Sequence, residues 1–173
     1  MIFIKYYIYS ENQENMAANK LVLDDFIEDL SFSLIGIHCN LEDYKLAYLL
    51  NQSLLVNLKR SENDLIFNNG ASYSIFEWEN EKELKSWSFV SNIYKQETET
   101  TGGIGSLFSN ETTTRTLPLI PEYKKVNYFL KMCDEIQQVN EAKILKAIHK
   151  IPQVVTAYAI DPEQLISKGN LIF

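Results

Sequence analysis

Apolar and polar positions along this chain follow the two-residue period of β-strands over much of its length. Strands are predicted wherever the alternation, or a nearly continuous apolar run, lasts seven to nine residues, as in 31–39, 71–79, 87–94 and 153–161. Shorter apolar runs predict three further strands at 56–60, 64–67 and 128–133. The loop NEKELK separates two alternating segments, and this order predicts a hairpin.

Two segments have helical periodicity instead. Residues 41–55, LEDYKLAYLLNQSLL, carry apolar side chains along two adjacent lines, and Asn40 is the predicted cap. So much apolar surface predicts a helix that packs on a sheet with little of that surface exposed. Residues 140–150 predict a second helix between two strands. The mixture indicates an α+β fold: a single, mostly antiparallel sheet, two main helices on one face and a C-terminal β-α-β unit.

Two stretches differ from this pattern. Residues 95–116 are rich in Thr, Ser, Gly and Glu, which predicts a long mobile loop with a short apolar centre at Leu107 and Phe108. Residues 1–15 are apolar and aromatic and then polar, and they are unlike the rest of the chain. We therefore expect 1–15 to be an upstream extension, with the start at Met16 and a single domain over 16–173; a genuine edge strand is the competing interpretation.

Charge and composition narrow the class of protein. The chain has 173 residues, of which 46% are hydrophobic, and 16 basic against 23 acidic side chains give a net charge of −7. This balance argues against nucleic-acid and polybasic membrane binding, which depend on clustered lysine and arginine. No apolar run has the length of a membrane span. Cys39 and Cys133 form no disulfide framework, which favours two reduced thiols and a cytoplasmic protein.

The segment IPEYKKVN carries a resemblance to a known family. Ile120, Pro121, Glu122 and Val126 resemble the motif that names the IPExxVD family, an uncharacterised group of Bacteroidota proteins, although three residues instead of two separate Glu122 from Val126 and Asn127 stands where the family has Asp. The resemblance also covers KLVLDDF, SFSLIGIHCNLEDYKLAYLLN, LFSNETT and IPQVVTAYAIDP. It implies no activity, because none is assigned to the family. It also implies a start near Met16.

The motif has two interpretations. In the structural one, Pro121 ends a strand, Ile120 and Val126 point into the core, and Glu122 accepts amide hydrogen bonds at a turn. In the functional one, the polar residues of the motif form a binding site. We favour the structural interpretation, because most polar residues beside a strand are solvated. The acidic pair Asp24-Asp25 and the apolar pair Leu107-Phe108 are candidate docking residues, without the spacing of a calcium loop.

No constellation of catalytic type stands out. His38, His149 and the two cysteines lack the spacing of zinc ligands or of a nucleophile and its base, so we predict no catalytic residue, metal or cofactor. TGGIGS lacks the lysine of a phosphate-binding loop. We therefore expect a non-enzymatic binding or adaptor module with a protein partner. The alternative is an RNA-associated accessory factor. It is suggested by the gene neighbourhood that the resemblance implies and by an aromatic hairpin that contains Tyr73, Phe76, Trp78, Trp87, Phe89 and Tyr94.

Overall fold

A computed structural model describes residues 32–101 and 110–173, and these residues belong to one compact unit. They form ten strands and two α-helices. The elements are β1 (Ser33–Cys39), α1 (Asp43–Leu54), β2 (Lys59–Arg60), β3 (Leu65–Ile66), β4 (Ser72–Tyr73), β5 (Ile75–Asn80), β6 (Lys85–Ser91), β7 (Ile93–Thr101), β8 (Asn110–Pro118), β9 (Tyr128–Asp134), α2 (Glu141–Ile148) and β10 (Val154–Ile160). The predictions for residues 1–15, for Asp24 and Asp25, and for Leu107 and Phe108 lie outside the described residues.

The centre of the fold is an antiparallel sheet of six strands in the order β10-β1-β9-β6-β5-β2. Both α-helices contribute side chains to the core on one face of this sheet. The predicted α+β fold is therefore confirmed. Strands β9 and β10 with α2 between them form the predicted β-α-β unit. They run parallel, but β1 lies between them and pairs antiparallel with each.

Apolar side chains cover both faces of the sheet, which explains the nearly continuous apolar runs in β1 and β9. One core lies under the helices and includes Leu46 and Leu50 of α1 and Ile148 of α2. The second core lies on the opposite face. It is closed by residues that follow β8 and β10, among them Ile120, Val126 and Leu171. The two faces are covered differently: α-helices cover the first, and the segments after β8 and β10 cover the second.

The first helix begins later than its sequence indicates. The N-cap is Glu42, without a side-chain cap hydrogen bond, and the predicted cap Asn40 is exposed and outside the helix. The cause lies in the neighbouring sheet: the hydroxyl of Tyr128 donates to the carbonyl of Leu41 at 2.6 Å and holds that residue outside the first turn. Burial, with smaller contributions from Asp43, Cys39 and Glu42, raises the pKa of Tyr128 to about 12, so this hydroxyl keeps its proton.

The stretch predicted as a loop over 95–116 contains two strands. β7 and β8 pair antiparallel from Ile93↔Pro118 to Thr101↔Asn110 and form a ribbon outside the main sheet. The prediction gave weight to the glycine and polar content of the segment. It overlooked the run of threonines, whose β-branched side chains favour extended backbone. At the base of the ribbon, Tyr94 and Leu117 pack against the second core.

Candidate functional site

The motif IPEYKKVN lies in a segment that crosses the sheet between β8 and β9. We call residues 119–127 the motif strap. Ile120 and Val126 are buried in the second core, whereas Pro121, Glu122 and both lysines are exposed. The strap approaches β1 closely: a Cβ added to Gly36 would lie 3.4 Å from a methyl group of Val126 and 2.9 Å from Ile160. Gly36 therefore leaves the space into which the valine of the motif packs.

Hydrogen bonds hold the strap to strand β1 at Asn127. Its side-chain oxygen accepts the backbone N–H of Cys39 at 3.1 Å, and its own N–H donates to the carbonyl of Ile37 at 3.2 Å. The side-chain contact uses only an acceptor. An aspartate at this position would offer the same acceptor.

Asn92 fixes the shape of the strap from within. It is fully buried, and its amide nitrogen donates to the carbonyls of Tyr123 at 2.9 Å and Val126 at 2.8 Å. Its side-chain oxygen accepts the N–H of Ile120 at 2.9 Å. Three backbone groups that the turn leaves unpaired are thereby satisfied. The sequence analysis missed Asn92, because its partners lie about thirty residues further along the chain.

Glu122 connects the strap to the segment after β10. Its carboxylate accepts the backbone N–H of Ser167 at 2.7 Å and the hydroxyl of the same serine at 2.6 Å. Partial burial raises the pKa of Glu122, but hydrogen bonds from the Ser167 hydroxyl and from the backbone N–H groups of Glu122, Ser167 and Ile166 outweigh it and lower the pKa overall. Lys124 and Lys125 remain exposed. The polar side chains of the motif thus do not converge on a common point.

His38, His149 and Cys39 each make a different contact. His38 approaches the hydroxyl of Tyr158 at 3.4 Å, and His149 accepts the N–H of Ala157 at 3.2 Å. The buried thiol of Cys39 donates to the carbonyl of Gln153 at 3.3 Å. Over residues 32–101 and 110–173, no group of three or more His, Cys, Asp or Glu side chains is placed to hold a metal ion.

The aromatic hairpin that suggested RNA binding is mostly packed. Phe76 and Phe89 are 5% and 0% exposed and belong to the core under the helices. Trp78 and Trp87 pack against that same core, with their rings edge to face at 5.6 Å. Tyr73 is buried in the other core. Among the described residues, the hairpin therefore presents no row of open aromatic faces on which bases could stack.

An apolar groove of about 480 Å³ opens beside helix α1, and the sequence did not indicate it. The surface that lines it is almost entirely apolar. Six residues contribute to this lining: Leu41, Tyr44, Lys45, Tyr48, Leu49 and Gln153. Tyr44 and Tyr48 are 56% and 61% exposed, although the helical pattern predicted little exposed apolar surface on this helix. The predicted burial is wrong for these two residues, because the helix turns Leu46 and Leu50 toward the sheet instead.

A half-buried lysine lies on the face of the sheet opposite the helices. Lys131 of β9 donates to the carbonyl of Leu171 at 2.6 Å, and its ammonium lies 4.7 Å from the ring centre of Phe173 and 5.1 Å from that of Phe32. Burial lowers the pKa of Lys131, opposed by the nearby Cys133 and Glu77. The contacts fasten the segment after β10 to the middle of the sheet.

Comparison with protein-family models, with curated proteins and with solved structures found no match to this chain. Within the described residues, no helix is both long enough and apolar enough to cross a membrane. The class of protein is therefore defined by the fold alone: an α+β protein with one six-stranded sheet covered on both faces.

Proposed function

We propose that this chain is a cytoplasmic binding module of the IPExxVD family, without catalytic activity, that docks a protein partner in the groove beside α1. The observation that carries the proposal is the pair of exposed tyrosines, Tyr44 and Tyr48, on the rim of that groove. Large aromatic side chains that remain exposed beside an apolar depression are typical of the centres of protein interfaces.

The charges around the groove favour a partner of particular chemistry. Lys45 lines the groove, but its ammonium is paired with Glu42 at 2.9 Å. Asp43 stands beside Tyr44 without a cationic partner among the described residues, and the whole chain carries a net charge of −7. We therefore propose a partner that inserts an aliphatic or aromatic side chain into the groove and places a lysine or arginine next to it.

The strap supports a structural interpretation of the family motif within this proposal. The side-chain hydrogen bonds of the motif hold the strap to β1, to Asn92 and to Ser167, and the ring of Tyr123 packs on Tyr158 of β10. A role in RNA binding has no comparable support, because the aromatic hairpin is packed and four of the intervening residues are glutamates: Glu77, Glu79, Glu81 and Glu83.

Affinity purification from the native host tests the proposal with three baits: the wild type, the double variant Tyr44→Ser/Tyr48→Ser and the single variant Ile166→Ser. Ile166 is 94% exposed, does not line the groove and lies beside Glu122 of the motif strap, so its variant removes exposed apolar surface without touching the rim. We expect the wild type and Ile166→Ser to retain the same protein, and the double variant to lose it.

Binding of the purified partner then measures the effect. The double variant should raise the dissociation constant by about tenfold or more, because the loss of central interface tyrosines usually weakens binding by that much. Cross-linking from position 48 should reach the partner. Equal affinity of the three baits would refute the groove as the docking site, and recovery that nuclease treatment abolishes would favour the RNA-associated alternative.

A further inference from the structure

The two edges of the main sheet are protected in different ways. One edge is β2, which has only two residues, Lys59 and Arg60, both charged and exposed. Short, charged strands resist pairing with other chains. The other edge is β10, with the sequence VVTAYAI, which contains neither a charged residue nor proline. No described strand pairs with its outer side.

A side chain covers part of that outer side. The N–H of Ala157 donates to the imidazole Nε2 of His149 at 3.2 Å, so this donor points away from β1 and is already satisfied. His149 is the C-cap of α2, close to the point where the chain turns back toward β10. In addition, Val155 is an extra residue at a bulge, because Val154 pairs with Cys39 and Thr156 pairs with His38. The regular part of the edge is therefore Thr156–Ile160, and His149 contacts it at Ala157, its second residue.

The occupant that fits this edge is a second copy of the chain. Two identical strands can pair antiparallel about a two-fold axis, so that each copy satisfies the main-chain hydrogen-bonding groups at the edge of the other. Copies with a net charge of −7 repel one another over most of their surface, but β10 carries no charge. A side chain that obstructs an uncharged edge strand is expected where pairing between copies must be prevented.

We infer that the side chain of His149 blocks strand pairing at the β10 edge, and that removing its imidazole lets β10 pair with β10 of a second copy. The inference is independent of the groove beside α1. With the imidazole absent, the Ala157 N–H has no partner until another strand supplies a carbonyl. An N–H without a partner at an exposed edge is the group that an incoming strand recognises.

The test is the mass in solution of the full chain, measured by sedimentation over a range of concentrations. We expect the wild type to sediment as a monomer of 20.0 kDa. His149→Ala should form dimers, with self-association strengthened by about tenfold, as expected when one competing hydrogen bond is removed. His149→Ser removes the ring as well, so it should also dimerise, and it serves as a second variant if His149→Ala does not fold.

A second substitution locates the interface. Ala159 is exposed in the regular part of the edge, and a lysine there should block strand pairing. The double variant His149→Ala/Ala159→Lys should therefore return to the monomer mass. Two results would overturn the inference: wild-type behaviour of both His149 variants, or dimers that Ala159→Lys leaves intact.

Discussion

Asn92 shows how one polar side chain can hold a segment that has no regular structure. It is the one fully buried polar residue among those described, and its side chain satisfies the N–H of Ile120 and the carbonyls of Tyr123 and Val126. Because buried groups without partners cost about 1–3 kcal/mol each, the amide is worth more than an ordinary hydrogen bond. The motif strap depends on it.

Replacing Asn92 with alanine should therefore destabilise the protein by about 3 kcal/mol or more, since three backbone groups lose their partner together. Urea unfolding at neutral pH measures the change. Asn63→Ala is the matched control, because Asn63 is exposed, and it should change the free energy of unfolding by less than about 0.5 kcal/mol. Similar losses in both variants would contradict this role of Asn92.

Glu122 gives a pH-dependent prediction. Its pKa is lowered in the folded protein, so its carboxylate contributes stability above the unfolded value of about 4.3, and that stability is lost as the pH falls through the lower folded value. Glu122→Ala should cost about 1 kcal/mol at pH 7, because the site is exposed, and almost nothing at about pH 3. Thermal melts at both pH values test this.

Lys124→Ala is the control in the same melts and should be neutral at both pH values, because its ammonium is exposed. If Glu122→Ala lost as much stability relative to the wild type at low pH as at pH 7, the carboxylate would not be the stabilising group.

Asn127 allows the aspartate of the IPExxVD motif to be tested at this position. Within the Asn127 side chain, only the oxygen has a described contact, with the N–H of Cys39. We expect Asn127→Asp to stay within about 1 kcal/mol of the wild type, because the acceptor is kept. Asn127→Leu should cost about 1–3 kcal/mol, because the N–H of Cys39 loses its partner. Chemical unfolding compares the two, and equal losses would contradict the acceptor role.

From the sequence, the apolar residues of the motif were expected in the core, but the partners of its polar residues could not be predicted. Glu122 and its partner Ser167 are 45 positions apart, and Asn127 and Cys39 are 88 apart. Local patterns carry no information on such pairs, since they form only when the sheet is assembled. For the same reason the groove beside α1 was missed: the helical period does not say which of two apolar lines faces the sheet.

At the scale of elements, helix α1 ends with a strained residue. Leu55, the C-cap, has φ of 55°, the left-handed region that glycine adopts most readily, and its side chain is 89% exposed. Leu55→Gly should therefore stabilise the protein by about 0.5 kcal/mol, since it relieves strain without removing a buried contact.

The melting temperature and the urea midpoint measure this gain. Leu55→Ala has the same exposed position but keeps the Cβ, and it should show no gain. A Leu55→Gly protein less stable than Leu55→Ala would mean that the leucine side chain makes a contact that its exposure does not reveal.

Strands with alternating apolar positions were predicted well, and elements fixed by distant contacts were not. The alternation in 71–79 and 87–94 corresponds to the paired strands β5 and β6, although the structure divides the first segment at Ser74 and extends the second into β7. The first turn of α1 was misplaced, because a tyrosine hydroxyl from β9 holds Leu41 outside it. The threonine-rich ribbon was missed, because composition was given more weight than β-propensity.

At the scale of the whole molecule, the second face of the sheet depends on residues distant in sequence. The strap covers part of it, and the segment after β10 covers more through Leu165 and Leu171. That segment is held by Glu122 through Ser167, by Lys131 through the carbonyl of Leu171, and by Asn170, which donates to the carbonyl of Leu119 at 2.8 Å. These contacts join the strap, the middle of the sheet and the closing segment into one cover.

Two adjacent residues test how much this cover contributes. Leu171 is fully buried and Ile172 is 41% exposed, although both lie in the same short stretch. Leu171→Ala should cost about 2–5 kcal/mol, because it leaves a cavity against the second core, while Ile172→Ala should cost less than about 1 kcal/mol. Equilibrium unfolding in urea compares them. If the cover is one cooperative unit with the sheet, both variants should unfold in a single transition with the wild-type slope. A separate early transition in Leu171→Ala would show instead that the closing segment detaches before the sheet unfolds.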